Sequence, residues 1–286
     1  MDYCFDTSAI NRLNDDPDQR AIVTGLLAAN RVLITAINII ETVVTEDPVR
    51  RISLLRLQQQ LAKGYRPLRI PPELLKELTL ARAGDLPSVT LTIDETGAGV
   101  WWALHEPETF GEEERQEGHA WKKKLEDAFT EANRLARPEI QKLFGVSNRP
   151  RSTGKLIQML CKNPQSFIST ASSSYESITN KPLSVEEMRD LFVKLPEWPL
   201  YFAGWAQGMY ARALQERNYS PKNNPGTIDL WFAIYLGHCD FLITNDVAQY
   251  KALRVINVLN KRRIPRTRVL LYDQFRKRLV LSTATS

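Results

Sequence analysis

Two kinds of hydrophobic pattern run along the chain, short unbroken apolar stretches and longer segments with helical periodicity. Tyr3-Cys4-Phe5 read as a short strand that stops at Asp6, and Thr7-Ser8 then open a helix through Ile10 and Leu13. A turn-rich break at Asn14-Asp15-Asp16-Pro17-Asp18 separates this helix from a second one over Arg20 to Ala29. Val32-Leu33-Ile34 form the next apolar run, and Thr35 is placed to cap a further helix. In that helix Asn38, Glu41, Thr42 and Thr45 recur at spacings of three and four, whereas Ile39, Ile40, Val43 and Val44 fill the rest of the surface. Glu41 is therefore expected on a narrow polar stripe. This βαβα opening predicts an α/β fold with a parallel sheet and crossover helices.

From about Leu61 the pattern changes. Prolines at 67, 71, 72, 87, 107, 138, 150, 164 and 196 break the chain into helical stretches with few strand signals. One of these stretches starts acidic at Glu112-Glu113-Glu114, carries Lys122-Lys123-Lys124 and continues as an amphipathic helix to Phe144. Residues 61–204 thus read as a mostly α-helical insertion between two parts of one α/β core, 1–60 and 205–286.

The α/β character returns after a helix from Tyr201 to about Arg217 and a turn over Ser220 to Gly226. A new helix begins near Thr227 with Asp229 in its first turn, and its Leu230 to Leu236 stretch is apolar on nearly all sides, which predicts burial. Gly237 ends it. Phe241-Leu242-Ile243-Thr244 then form a strand that delivers Asn245 and Asp246, and Val269-Leu270-Leu271-Tyr272 form a last strand before a short basic helix.

Composition narrows the function classes. The 286 residues are 43% hydrophobic, ample for a buried core, and the net charge of +5 favours a polyanionic partner only weakly. No apolar run is long enough to span a bilayer, and the opening MDYCFDTSAI lacks a signal-peptide pattern, so a cytoplasmic location without membrane contact is expected. Cys4, Cys161 and Cys239 are far apart and form no zinc motif, which fits small buried side chains in a reducing compartment.

The candidate chemistry lies in four carboxylates. Asp6 and Asp246 each follow a strand at its C-terminal end, the edge where parallel α/β sheets collect ligands. Asp229 at a helix start and Glu41 on its polar stripe could face the same edge. Four acids around one cavity would repel one another without Mg²⁺ or Mn²⁺, which favour carboxylate and water ligands. Each acid also has an ordinary structural role: Asp6 and Asp246 as helix caps, Asp229 as a partner of the helix dipole, Glu41 as a solvated side chain. Taken together, their order and placement favour the metal site.

DTSAI after a first strand, T-x-x-x-x-x-E from Thr35 to Glu41, G-T-I-D-L at 226–230 and L-I-T-N-D at 242–246 together resemble the PIN-domain nucleases, and VLLYDQF resembles their closing strand. The resemblance covers roughly residues 1–60 and 205–286. It implies a Rossmann-like parallel sheet flanked by helices and divalent-metal hydrolysis of phosphodiester bonds, often in single-stranded RNA. In that reading Asp6, Glu41, Asp229 and Asp246 are the catalytic and metal residues, and Thr7, Ser8, Asn38 and Thr244 orient them or touch phosphate. An endoribonuclease serving as a toxin or defence effector is the leading expectation. A DNA nuclease on the same site and a catalytically idle binding scaffold are the alternatives, and a protein inhibitor or a homo-oligomer is left open as a further partner. The chain departs from compact family members by its large insertion, and Val247-Ala248-Gln249 stand where many members place another acid.

Ser152-Thr153-Gly154-Lys155 lacks the earlier glycine and the following hydroxyl of a phosphate-binding loop. The C-terminal basic residues, Arg262 and Arg263 among them, are candidates for electrostatic contact with phosphate or for a solvated basic face. Trp101, Trp102, Trp121 and Trp205 read as core or interface residues ahead of base stacking.

Overall fold

The computed structural model describes residues 1–84, 89–93, 98–149, 151–215, 226–262 and 264–283. Four strands, β1 (Asp2–Phe5), β2 (Arg31–Leu33), β3 (Phe241–Thr244) and β4 (Arg268–Leu271), form one all-parallel sheet in the order β2-β1-β3-β4. Cys4 pairs with Leu33 on one side and with Leu242 on the other, and Leu242 pairs with Val269. Both central strands are covered on both faces, which is why FLIT of β3 is apolar throughout and ends on a buried threonine.

Side chains on successive strand residues point to opposite faces, and the hydrophobic core divides accordingly. Tyr3, Phe5, Phe241 and Ile243 pack on one face with Tyr272 and Phe275. Cys4, Leu242 and Val269 pack on the other with Ile37, Trp198, Leu230 and Tyr235. Cys239 is buried like Cys4, whereas Cys161 is exposed, so the expectation of three buried cysteines holds for two.

The first part of the chain supplies α1 (Thr7–Asn14), α2 (Gln19–Ala29), α3 (Ala36–Val43) and α4 (Pro48–Ala62). Thr35 caps α3 in a reciprocal capping box with Asn38. The predicted insertion supplies α5 (Pro71–Ala83), α6 (Ala98–His105), α7 (Glu112–Phe144), α8 (Thr153–Lys162), α9 (Pro164–Thr179), α10 (Val185–Lys194) and the start of α11 (Glu197–Leu214). It is no separate layer, because Leu74, Leu75, Met188 and Leu191 belong to the same hydrophobic cluster as Cys4 and Leu242.

Of the prolines expected as breaks, Pro87 and Pro150 lie outside the described residues and Pro67 lies in the loop between α4 and α5, whereas Pro71, Pro107 and Pro164 mark helix starts. Pro138 does not, because α7 runs through it for 33 residues. Side chains on either side of it hold the two halves in line: Arg137 donates to the Gln215 carbonyl and Gln141 Nε2 to the Ala213 carbonyl at 2.7 Å. These anchors offset the hydrogen bond and steric freedom that proline removes.

The late α/β part begins with α12 (Thr227–Trp231), which tightens into a 3-10 segment over Phe232–Gly237 where one continuous α-helix was expected. Every residue of that segment is buried. The chain closes with α13 (Val247–Ile256) and α14 (Tyr272–Thr283). The predicted turn over 220–225 and the predicted helix end near Arg217 lie outside the described residues. Among the described residues no helix is long and apolar enough to cross a membrane.

Gly204 fixes the approach of α11 to α12, since a Cβ there would collide with the carbonyl oxygen of Leu230. Backbone cannot yield as a flexible side chain can, so Gly204→Ala must push α12 and its Asp229 away. Thermal unfolding should show a loss of about 1–3 kcal/mol, or about 3–10 °C in Tm; an unchanged Tm would contradict this packing.

Candidate active site

Parallel pairing of β1 with β3 places Phe5 beside Ile243, and the Asp6 amide continues the ladder by donating to the Ile243 carbonyl at 2.9 Å. Asp6 and Asp246 therefore leave adjacent strands at the same, C-terminal edge. Both also cap helices: Asp6 Oδ1 accepts from the Ala9 amide at 2.7 Å, and Asp246 Oδ1 from the Gln249 amide at 2.8 Å. Asp229 Oδ2 accepts from the Gly226 amide at 2.7 Å in the first turn of α12. The structural and the chemical readings of these acids are thus compatible, because capping uses one oxygen and fixes the direction of the carboxylate.

Hydroxyl and amide side chains hold the set in place. Thr7 donates to Glu41 Oε2 at 2.5 Å, and Asn38 Nδ2 donates both to Thr7 and to the Phe5 carbonyl, tying α3 to the end of β1. Ser8 donates to Asp6 and accepts from the Asn245 amide at 2.8 Å. Thr244 Oγ1 lies 2.7 Å from Asp6 Oδ2 and accepts from the Asp246 amide at 2.9 Å. Thr7, Ser8, Asn38 and Thr244 are therefore in contact with the acids or their supports, and in this structure their partners are protein groups.

Two residues with no predicted role complete the site. Gln249 accepts at Oε1 from Thr244 at 2.6 Å and donates from Nε2 to the Asp229 carbonyl at 2.8 Å, linking α12 to the sheet edge. Its sequence signal is the capping pattern of an acid followed three residues later by glutamine. Lys122 of α7 reaches Glu41 Oε1 at 3.7 Å, where the two side chains are 34% and 18% exposed. Gly118, Lys122, Leu125 and Phe129 share one face of α7 by their spacing. A Cβ on Gly118 would stand 2.9 Å from Val44 Cγ1, so the helix lies tight against the end of α3. In the sequence Lys122 looks no different from Lys123 and Lys124.

Burial dominates the electrostatics. It pushes the Asp6 carboxyl up to about 7 against the downward pull of its bonds from Ala9, Thr244 and Ser8, with the charge of Asp229 adding to the rise. Asp229 is pushed up to about 6, first by burial and then by the charge of Glu41, with a smaller push from Asp246; the Gly226 amide and Lys122 work in the opposite direction. Proton counting supports a neutral Asp6. The Thr244 hydroxyl has one proton but faces two acceptors, Asp6 Oδ2 and Gln249 Oε1, and the Gln249 amide is oriented by its bond to Asp229. A proton on Asp6 turns both contacts into hydrogen bonds.

The donor set is chemically suited to Mg²⁺ or Mn²⁺, being all carboxylate, electrostatically coupled and short of positive charge. As they lie, however, no three of these side chains among the described residues stand close enough together to form a ready ligand group. Each carboxylate is turned toward its own support: Asp6 to Ser8 and Thr244, Glu41 to Thr7 and Lys122, Asp229 to Gly226.

The structure does not bring Arg262 to the acids. It pairs with buried Glu197, beside His238, and lines a pocket with Gly237 and Asp240, just ahead of β3 and so at the sheet's opposite edge. Burial raises the Glu197 carboxyl, but His238 and Arg262 outweigh that and hold it below its usual value. The basic run offered no orientation, and this arginine is spent on a buried acid. Arg263 lies outside the described residues. Ser152 caps α8 by accepting from the Lys155 amide, an ordinary helix start. No family model matches the chain, and neither a curated protein nor a solved structure matches it.

Since the Asp6 carboxyl rises from 3.8 to about 7 on folding, the folded state holds the proton more tightly than the unfolded state. Its contribution to stability is full below the unfolded value and is lost as pH rises through about 7. Asp6→Asn keeps a capping oxygen and adds a permanent donor. In a chelator at alkaline pH, calorimetry should find this variant about 2–6 °C more stable than wild type, with a flatter profile between acid and alkaline buffer. A variant that melts below wild type at alkaline pH would refute the buried-charge assignment.

Proposed function

We propose that this chain is a divalent-metal-dependent nuclease of the PIN type, hydrolysing phosphodiester bonds in single-stranded RNA. The observation that carries this reading is the meeting of Asp6 and Asp246 at the C-terminal edge of two paired parallel strands, with Asp229 electrostatically coupled to both and Glu41 coupled to Asp229. The four-strand parallel sheet and the order of the acids along the chain agree with the resemblance, from which the choice of RNA comes.

Asp6, Asp229 and Asp246 would hold Mg²⁺ or Mn²⁺, with Glu41 completing the set. A cation held there would supply Lewis-acid stabilisation of charge on the phosphate and the departing oxygen and would lower the pKa of the attacking water. Glu41, held by Thr7, would accept a proton at its carboxylate from an attacking water. Lys122 brings positive charge to the same point, suited to a phosphate oxygen. Thr244, Ser8 and Gln249 keep the acids in register, so that binding does not require the site to be built from disorder.

Labelled single-stranded RNA and DNA of the same sequence, incubated with Mg²⁺ or Mn²⁺, test this reading. Cleavage of RNA by the wild type is expected, with a loss of at least about 100-fold in Asp246→Asn and Asp229→Asn while their melting curves remain cooperative. Full activity in either variant, or cleavage in the presence of a chelator, would refute the assignment; cleavage of DNA alone would overturn the substrate.

A further inference from the structure

A cavity of about 420 Å³ opens directly beside the acids, and Glu41 and Asp229 form part of its wall. Aromatic side chains also line it. Tyr201 and Trp205 lie four residues apart on one face of α11, Phe129 comes from α7 and Trp231 from the end of α12. Lys122 lines the cavity while facing Glu41.

The size of this space falls within the range of small-molecule sites, about 300–1,000 Å³.

We infer that this cavity is a nucleobase pocket, holding the base next to the phosphate that is cut. The inference rests on the nuclease reading for what occupies the acid end, and on the cavity itself for what occupies the aromatic end. A nucleotide combines the required properties in one molecule. Its flat base stacks on Trp205, and its phosphate reaches Lys122 beside the acids. Stacking on an aromatic face tolerates any base. The pocket therefore sets which position of the strand is cut.

Binding in a chelator, where no cleavage is required, tests the pocket apart from the chemistry. A fluorescent single-stranded RNA carrying one abasic residue, moved stepwise along the strand, is titrated with wild-type protein and read by anisotropy. At one position the missing base should weaken binding by about 5- to 150-fold, and at the others by little. In Trp205→Ala that penalty should disappear, and in Trp205→Phe it should persist. A flat abasic profile in wild type, an equal penalty in Trp205→Ala, or no binding of the strand would each overturn the pocket. The intact strand incubated with Mn²⁺ separates the two proposals: a position-specific profile without cleavage supports the pocket and refutes the hydrolysis, whereas cleavage with a flat profile refutes the pocket alone.

Discussion

The parallel register of β1 against β3 is the constraint on which the remaining geometry depends. It joins segments 238 residues apart, so that Asp6 and Thr244 meet through their side chains. Closing so long a loop costs conformational entropy, and the cost is met by burial on both faces of the joined strands. Tyr3 stacks on Phe241 with ring centroids 4.7 Å apart on one face, while Cys4 and Leu242 enter the large cluster on the other. A slip of one residue would exchange the two faces and move Asp6 out of reach of Thr244. Everything that orients the acids follows from that register: the Asp6 amide on Ile243, the Ser8 hydroxyl under Asn245, and Gln249 between Thr244 and α12.

Burial of the acids works against the fold that holds them. Asp6, 3% exposed, would be easier to bury as a neutral group, and its pKa near 7 records that preference. Sites that store such a penalty usually do so for a task, since a stabilising replacement would be readily available. A cation is the simplest means of removing the repulsion, and Lys122 removes only part of it. α7, from the stretch read as an insertion, supplies both that lysine and one wall of the adjoining cavity. It is therefore part of the site and not a separate module.

The sheet was legible in the sequence because its strands are short unbroken apolar runs, each ended by a polar residue at the edge where the acids gather. Tyr3 to Phe5 and Phe241 to Thr244 carry that pattern almost residue for residue. The supporting residues Thr7, Ser8, Asn38 and Thr244 were legible for a related reason, since capping and ligand-orienting side chains share the same short polar chemistry. Other features depend on tertiary contacts that no local pattern encodes. Pro138 reads as a break, yet anchors to Gln215 and Ala213 carry α7 past it. Leu230 to Leu236 read as one apolar helix, yet the segment tightens to 3-10 after Trp231. Lys122 could not be told from its neighbours because orientation around α7 is set by the close approach of Gly118 to Val44. Arg262 was drawn toward phosphate by its basic neighbours, whereas its partner Glu197 lies 65 residues away in sequence.

The four carboxylates are proposed to form a divalent-cation site whose protons are displaced on binding. Calorimetric titration with Mn²⁺ at about pH 6.5, in buffers of differing ionisation enthalpy, measures this directly. Binding that releases protons is expected in wild type, because Asp6 holds one up to about pH 7, with affinity falling sharply in Asp229→Asn. Absence of Mn²⁺ binding, or binding that releases no protons and survives replacement of Asp6 and Asp229 together, would contradict it.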